Sequence, residues 1–107
     1  KYNSNGSLDR TFGADGIVVY NSTADANDKG KSIAIDSIGN IYVTGSSINV
    51  SGNEDMIIWK YKSDGTLDTS FGDNGVAVYD NAAADDYANS IVLDTVGNIY
   101  IKLIFEF

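Results

Sequence analysis

The sequence contains no histidine, no cysteine and no proline, and only 7 basic side chains against 15 acidic ones. Each shortage removes a class of function. Without His or Cys there is no imidazole base, no thiolate nucleophile and no Cys/His zinc site, so most hydrolytic, redox and structural-zinc mechanisms lose their central group. The chain therefore reads as a non-enzyme. A net charge of −8 repels phosphate backbones and anionic lipid, which excludes nucleic acid as a partner. The apolar runs at 17–20, 56–59 and 103–105 fall far short of the roughly 20 residues that a helix needs to cross a bilayer, and membrane insertion is excluded with them. The lack of Cys suits a cytosolic protein and equally a bacterial surface protein that does without disulfides, so compartment stays open at this point. Lys1 stands first instead of Met, with no signal-like stretch behind it, and a longer parent chain is the expectation.

What is present is a repeat. KYNSNGSLDRTFGADGIVVY at 1–20 aligns with KYKSDGTLDTSFGDNGVAVY at 60–79 at a shift of 59, with 11 of 20 positions identical. SIAIDSIGNIYV at 32–43 aligns with SIVLDTVGNIYI at 90–101 at a shift of 58, with 7 of 12 identical. The one-residue difference falls between 21–31 and 80–89, which makes those segments loops.

Within a repeat the segments read as strands. Residues 32–35 and 90–93 are short, charge-free and rich in apolar side chains, as expected of a strand covered on both faces. Asp-Ser-Ile-Gly-Asn (36–40) and Asp-Thr-Val-Gly-Asn (94–98) supply hairpin chemistry: an Asp that bonds nearby backbone, and Gly and Asn that tolerate positive φ. A second strand follows from 41 and 99, a third at 55–61 carries the only Trp, and a fourth is expected at 17–20 and 76–79. No stretch carries a sustained helical apolar stripe; 8–12 and 67–71 allow one helical turn at most. The fold class is therefore all-β, with four antiparallel strands per repeat of about 59 residues, the form of a β-propeller blade.

The motifs NGSLDRTFGADG (5–16) and DGTLDTSFGDNG (64–75) resemble the delta-60 repeat, a bacterial β-propeller repeat. SIAIDSIGNIYVTGSS (32–47) resembles the repeats of the seven-bladed-propeller type. Together the resemblances span 1–101. They imply that 32–35 is the innermost strand of a blade and that the chain holds about 1.8 repeats: an outer half-blade with its loop at 1–31, a complete blade at 32–79, and an inner half-blade at 80–107. They also imply a secreted or surface location in a bacterium and a structural or interaction role. Fewer than two blades cannot close a propeller. Three outcomes stay open: other blades of a longer parent cover the ends, copies assemble head to tail, or the chain packs differently. The end, IKLIFEF, departs from the repeat after Ile101, where Lys102 and Leu103 replace the Thr44 and Gly45 of the earlier copy.

Candidate sites are few. Asp9 and Asp68 recur in Leu-Asp-x-x-Phe-Gly, and Asp36 and Asp94 recur before the hairpin turns; capping of backbone N–H groups explains them better than catalysis. The loop residues Asp25, Asp28, Asp85 and Asp86 offer the oxygen density a Ca²⁺ ion needs, without the ordered spacing of a dedicated calcium loop. No metal is assigned to them and no cofactor is expected. Trp59 and Tyr61, with Tyr42 and Tyr87, are the candidates for a sugar-stacking platform, against the more common use of strand aromatics in packing. The expected function is thus a structural or interaction module that binds protein partners, with a small-subunit carbohydrate-binding propeller as the alternative.

Overall fold

A computed structural model describes residues 1–22, 26–81 and 84–106. Six strands follow one another: β1 Asp28–Ile35, β2 Ile41–Ile48, β3 Glu54–Tyr61, β4 Val76–Tyr79, β5 Asp85–Leu93 and β6 Ile99–Glu106. The first four form one antiparallel sheet in chain order, β5 and β6 form a separate antiparallel hairpin, and no helix occurs among the described residues. The chain is all-β, as its periodicity requires.

Turn chemistry sets the strand boundaries, and it does so twice with nearly the same geometry. Asp36 Oδ1 accepts hydrogen bonds from the backbone N–H groups of Ile38 (3.1 Å) and Asn40 (2.9 Å), and Oδ2 accepts from the Asn40 amide at 2.9 Å. Asp94 repeats the set with Val96 (3.1 Å), Asn98 (2.8 Å) and the Asn98 amide (2.8 Å). In the second motif Asp68 Oδ1 accepts from Ser70 N–H (3.1 Å) and its hydroxyl (2.6 Å), while Asp9 accepts from Thr11 at 3.1 and 2.6 Å. These aspartates stop the chain from extending by satisfying the N–H groups that a strand would have paired. Gly75 explains the last glycine of the motif: at φ 95° its missing Cβ leaves room for Leu67, whose Cγ lies 2.5 Å from where that Cβ would stand.

The strands differ from the sequence reading at their ends. β1 and β5 begin at Asp28 and Asp85, ahead of the expected 32 and 90, because a bulge lets each ladder continue past an irregular step, between Gly30 and Ser32 and between Ala88 and Ser90. β6 runs through the divergent tail to Glu106. Its pairing there, Ala88 with Leu103 and Ser90 with Lys102, repeats that of Gly30 with Gly45 and Ser32 with Thr44, so register survives where residue identity does not. Backbone bonds carry it.

Residues 17–20 are not a strand. Their counterpart β4 pairs with 56–59 on β3, and the equivalent partner, 59 positions earlier, falls ahead of Lys1. Among the described residues the segment makes an isolated bridge between Ala14 and Ile17.

The core lies between the sheet and the hairpin. Tyr42, Met56 and Ile58 on one face of the sheet are buried against Ala88 and Ile91, with Leu93, Ile99, Ile101 and Leu103 packed around them. On the opposite face Ile57, Trp59 and Tyr61 form a second cluster, covered in part by Val18 and Tyr20 of the N-terminal segment. That segment docks through its turn, where Gly13 N–H donates to the Asp64 carbonyl at 2.8 Å.

Candidate functional site

The loop carboxylates serve the chain itself. Asp28 Oδ2 accepts from Ser22 N–H at 2.8 Å and Oδ1 from the Ser47 hydroxyl at 2.5 Å. Fifty-eight residues on, Asp86 Oδ2 accepts from Asn81 N–H at 2.7 Å. Both tie back the loop that precedes their strand, and this recurring role accommodates the one-residue length change between the two loops. Asp85 accepts from Glu54 N–H at 2.9 Å and joins the hairpin to the sheet. Asp25 lies outside the described residues. Among the described residues no three acidic side chains are arranged to hold a metal ion. Asp86 is fully buried and its Oδ1 has no hydrogen-bond partner there. It is one of the negative neighbours of Asp55: burial pushes the Asp55 carboxyl above its ordinary range, the Asn49 amide pulls the other way, and the charges of Asp80 and Asp86 add to the rise.

Trp59 and Tyr61 are brought together on one face of β3, both buried, and the Trp59 ring packs against Tyr20 with centroids 5.3 Å apart. Tyr42 points to the other face, where it meets Phe71 edge-on at 6.1 Å, and the Tyr87 hydroxyl donates to Asp85 at 3.3 Å. The four aromatics considered as one stacking platform are thus divided between the two sides of the sheet and the hairpin, and Trp59 and Tyr61 sit at the floor of an interface. The Trp59 indole N–H is buried with no acceptor among the described residues.

That interface is open to solvent. A groove of about 930 Å³ runs between the N-terminal segment and the sheet, lined by Phe12, Val18 and Tyr20 on one side and by Ile33, Ile35, Ile41 and Val43 on the other. Ile33 and Ile35 are each 63% exposed. Strand β1, expected to be covered on both faces, is covered on one.

The repeat explains this bareness. Shifted by 58, Ile33, Ile35, Ile41 and Val43 become Ile91, Leu93, Ile99 and Ile101, the side chains that the hairpin packs into the core. Likewise Lys1 and Phe12 stand where Lys60 and Phe71 stand 59 residues later. The Lys60 ammonium lies 5.4 Å from the Tyr42 ring and 5.8 Å from Phe71; its counterpart, that of Lys1, lies 5.9 Å from Phe12. The groove wall thus repeats the residues of a sheet-on-hairpin contact that is filled elsewhere in the same chain. An apolar strand residue looks the same in sequence whether or not a neighbour covers it, and what marks Ile33 and Ile35 is their register with Ile91 and Leu93.

Comparison with known families agrees with this geometry. Residues 16–50 match a family model described as a β-propeller repeat, and residues 39–71 match one described as a domain of unknown function (DUF5122) β-propeller. No curated protein and no solved structure matches the chain. Together the two matched segments span 16–71, which holds β1, β2, β3 and the Leu-Asp-x-x-Phe-Gly turn, and this span is accordingly of the β-propeller repeat type.

Proposed function

We propose that this chain is a non-catalytic interaction module of β-propeller repeats, belonging to a secreted or surface-exposed bacterial protein, and that its role is to offer packing faces to further blades or to a partner shaped like one. The observation that carries the reading is the open groove, whose apolar wall repeats the buried wall of the sheet–hairpin contact. An apolar face of this size is costly to leave in water. The unpaired Trp59 N–H at its floor points the same way, since a buried donor without an acceptor costs about 1–3 kcal/mol. The absence of His and Cys from the sequence, and the use of its recurring aspartates as turn locks, support a role without chemistry.

The test is binding of an apolar fluorescent dye at high dilution, with Ile33→Asp as the control. Dye that binds the native chain and is lost in Ile33→Asp, with the circular dichroism spectrum retained, supports a docking face. No dye binding to the native chain overturns it. A glycan array run in parallel addresses the lectin alternative: a saccharide that binds and quenches Trp59 emission would replace the interaction reading with a carbohydrate-binding one.

A further inference from the structure

We infer that the groove is filled, in solutions of this chain, by the β5–β6 hairpin of a second copy, in a head-to-tail contact that reproduces the internal one. The inference rests on the groove being a docking face and names its occupant. Within one chain, the face of the β1–β2 hairpin that carries Ala34 and Tyr42 is covered by β5 and β6. The same face of the β5–β6 hairpin carries Val92 and Tyr100, which are 60% and 59% exposed. One end of the molecule therefore lacks the covering layer, and the other end presents an uncovered layer of the same repeat in the same register.

The match extends to the side chains at the seam. In the internal contact Tyr42 meets Phe71 edge-on and lies under the Lys60 ammonium. In the groove, Phe12 and Lys1 hold the equivalent places at 5.9 Å, and Tyr100 of an incoming hairpin is the ring that occupies the position of Tyr42. Val92, equivalent to Ala34, then lies over the β1 isoleucines. The contact is heterologous, because groove and hairpin are different surfaces, so each copy keeps one free end and chains of copies grow until rotation closes them. The third-strand position has no counterpart at this seam. Attraction rests on side-chain packing without a continuous ladder, and affinity on the order of micromolar is expected for a contact of this type.

The experiment is sedimentation velocity or native mass spectrometry over a dilution series, using the native chain, the groove variant Ile33→Asp, the hairpin variant Val92→Asp, and their equimolar mixture. Both positions are exposed, and circular dichroism confirms folding of each variant. The native chain is expected to gain mass with concentration, each variant alone to remain monomeric, and the mixture to stop at a one-to-one dimer, since the intact hairpin of one variant fills the intact groove of the other. Association of Val92→Asp alone would show groove-to-groove pairing, and association of Ile33→Asp alone would show pairing of hairpins; either overturns the inference. A native chain that stays monomeric while its groove still binds dye overturns self-docking and leaves the docking face standing. If dye binding is absent as well, both readings fall.

Discussion

Lys60 Nζ lies 3.1 Å from Asp68 Oδ2, and 59 residues earlier Lys1 Nζ lies 2.9 Å from Asp9 Oδ2. The two pairs clamp the same turn to the end of the same strand position, once inside the fold and once at its margin. The inner pair is the more enclosed on the lysine side, with side-chain exposures of 19% for Lys60 and 50% for Lys1. Hydrogen bonds to Asp68 and Tyr42 outweigh the burial that opposes its charge, so the Lys60 ammonium is held above its ordinary range. Asp68→Asn is therefore expected to lower the unfolding midpoint clearly, and Asp9→Asn to lower it less, because solvent screens the outer pair. Thermal melts of the two variants check the order, and equal losses would contradict it.

Gly75→Ala is expected to cost about 2–4 kcal/mol, combining positive-φ strain with overpacking. Both terms apply there, at φ 95° and with Leu67 Cγ 2.5 Å from the new methyl. Gly52→Ala, at φ 88° with nothing within 4 Å, isolates the strain term and is expected to cost about 1 kcal/mol. Urea unfolding of both variants separates the two contributions.

Ile91→Ala removes a 6% exposed side chain from the contact between hairpin and sheet. A loss of roughly 2–5 kcal/mol follows from the cavity and the lost burial. The exposed counterpart Ile33→Ala should change stability of the monomer by no more than about 0.5 kcal/mol. Chemical denaturation at high dilution measures both.

Acid should loosen the turns first. Hydrogen bonds from Thr11 hold the Asp9 carboxyl at about 2, below its ordinary value of 3.8, and Lys1 adds to this. Bonds from Thr66, Ser70 and Asn98 lower Asp64, Asp68 and Asp94, and at Asp36 burial disfavours the charged form but the bonds from Asn40, Ile38 and Tyr42 together outweigh it. For these groups the unfolded chain binds more protons in the window below 3.8, so their stabilisation is complete above it and is lost as pH falls toward 2. Asp55 has the opposite sign: its raised value means that the folded chain binds more protons just above 3.8, and stability is lost as pH rises through that window. Asp55→Asn should thus raise the unfolding midpoint at pH 7 and leave it little changed at pH 3. Melts at the two pH values give the answer, and a midpoint that falls at pH 7 would refute the assignment.

Much of the fold was legible in the chain because it depends on local chemistry. The Asp-x-x-Gly-Asn and Leu-Asp-x-x-Phe-Gly turns close through bonds spanning two to four residues, and the alternation between them can only be strands. The internal alignment supplied the period, and with it the propeller repeat type. The interaction site was less legible. Trp59 and Tyr61, read as a possible platform, share a face with Val43, while Tyr42 faces away; that division follows from strand parity, which a sequence reveals only when the pairing register is known.

The amino-acid sequence by itself determined the turns, the all-β class and the repeat of about 59 residues, since each follows from contacts between near neighbours in the chain. Tertiary structure alone decided that 17–20 forms no strand, that Asp28 and Asp86 tie down loops, and that the Ile33 face is bare while the Ile91 face is buried. Those outcomes depend on which layer lies opposite, and the same side chains carry no local mark of whether that layer is present.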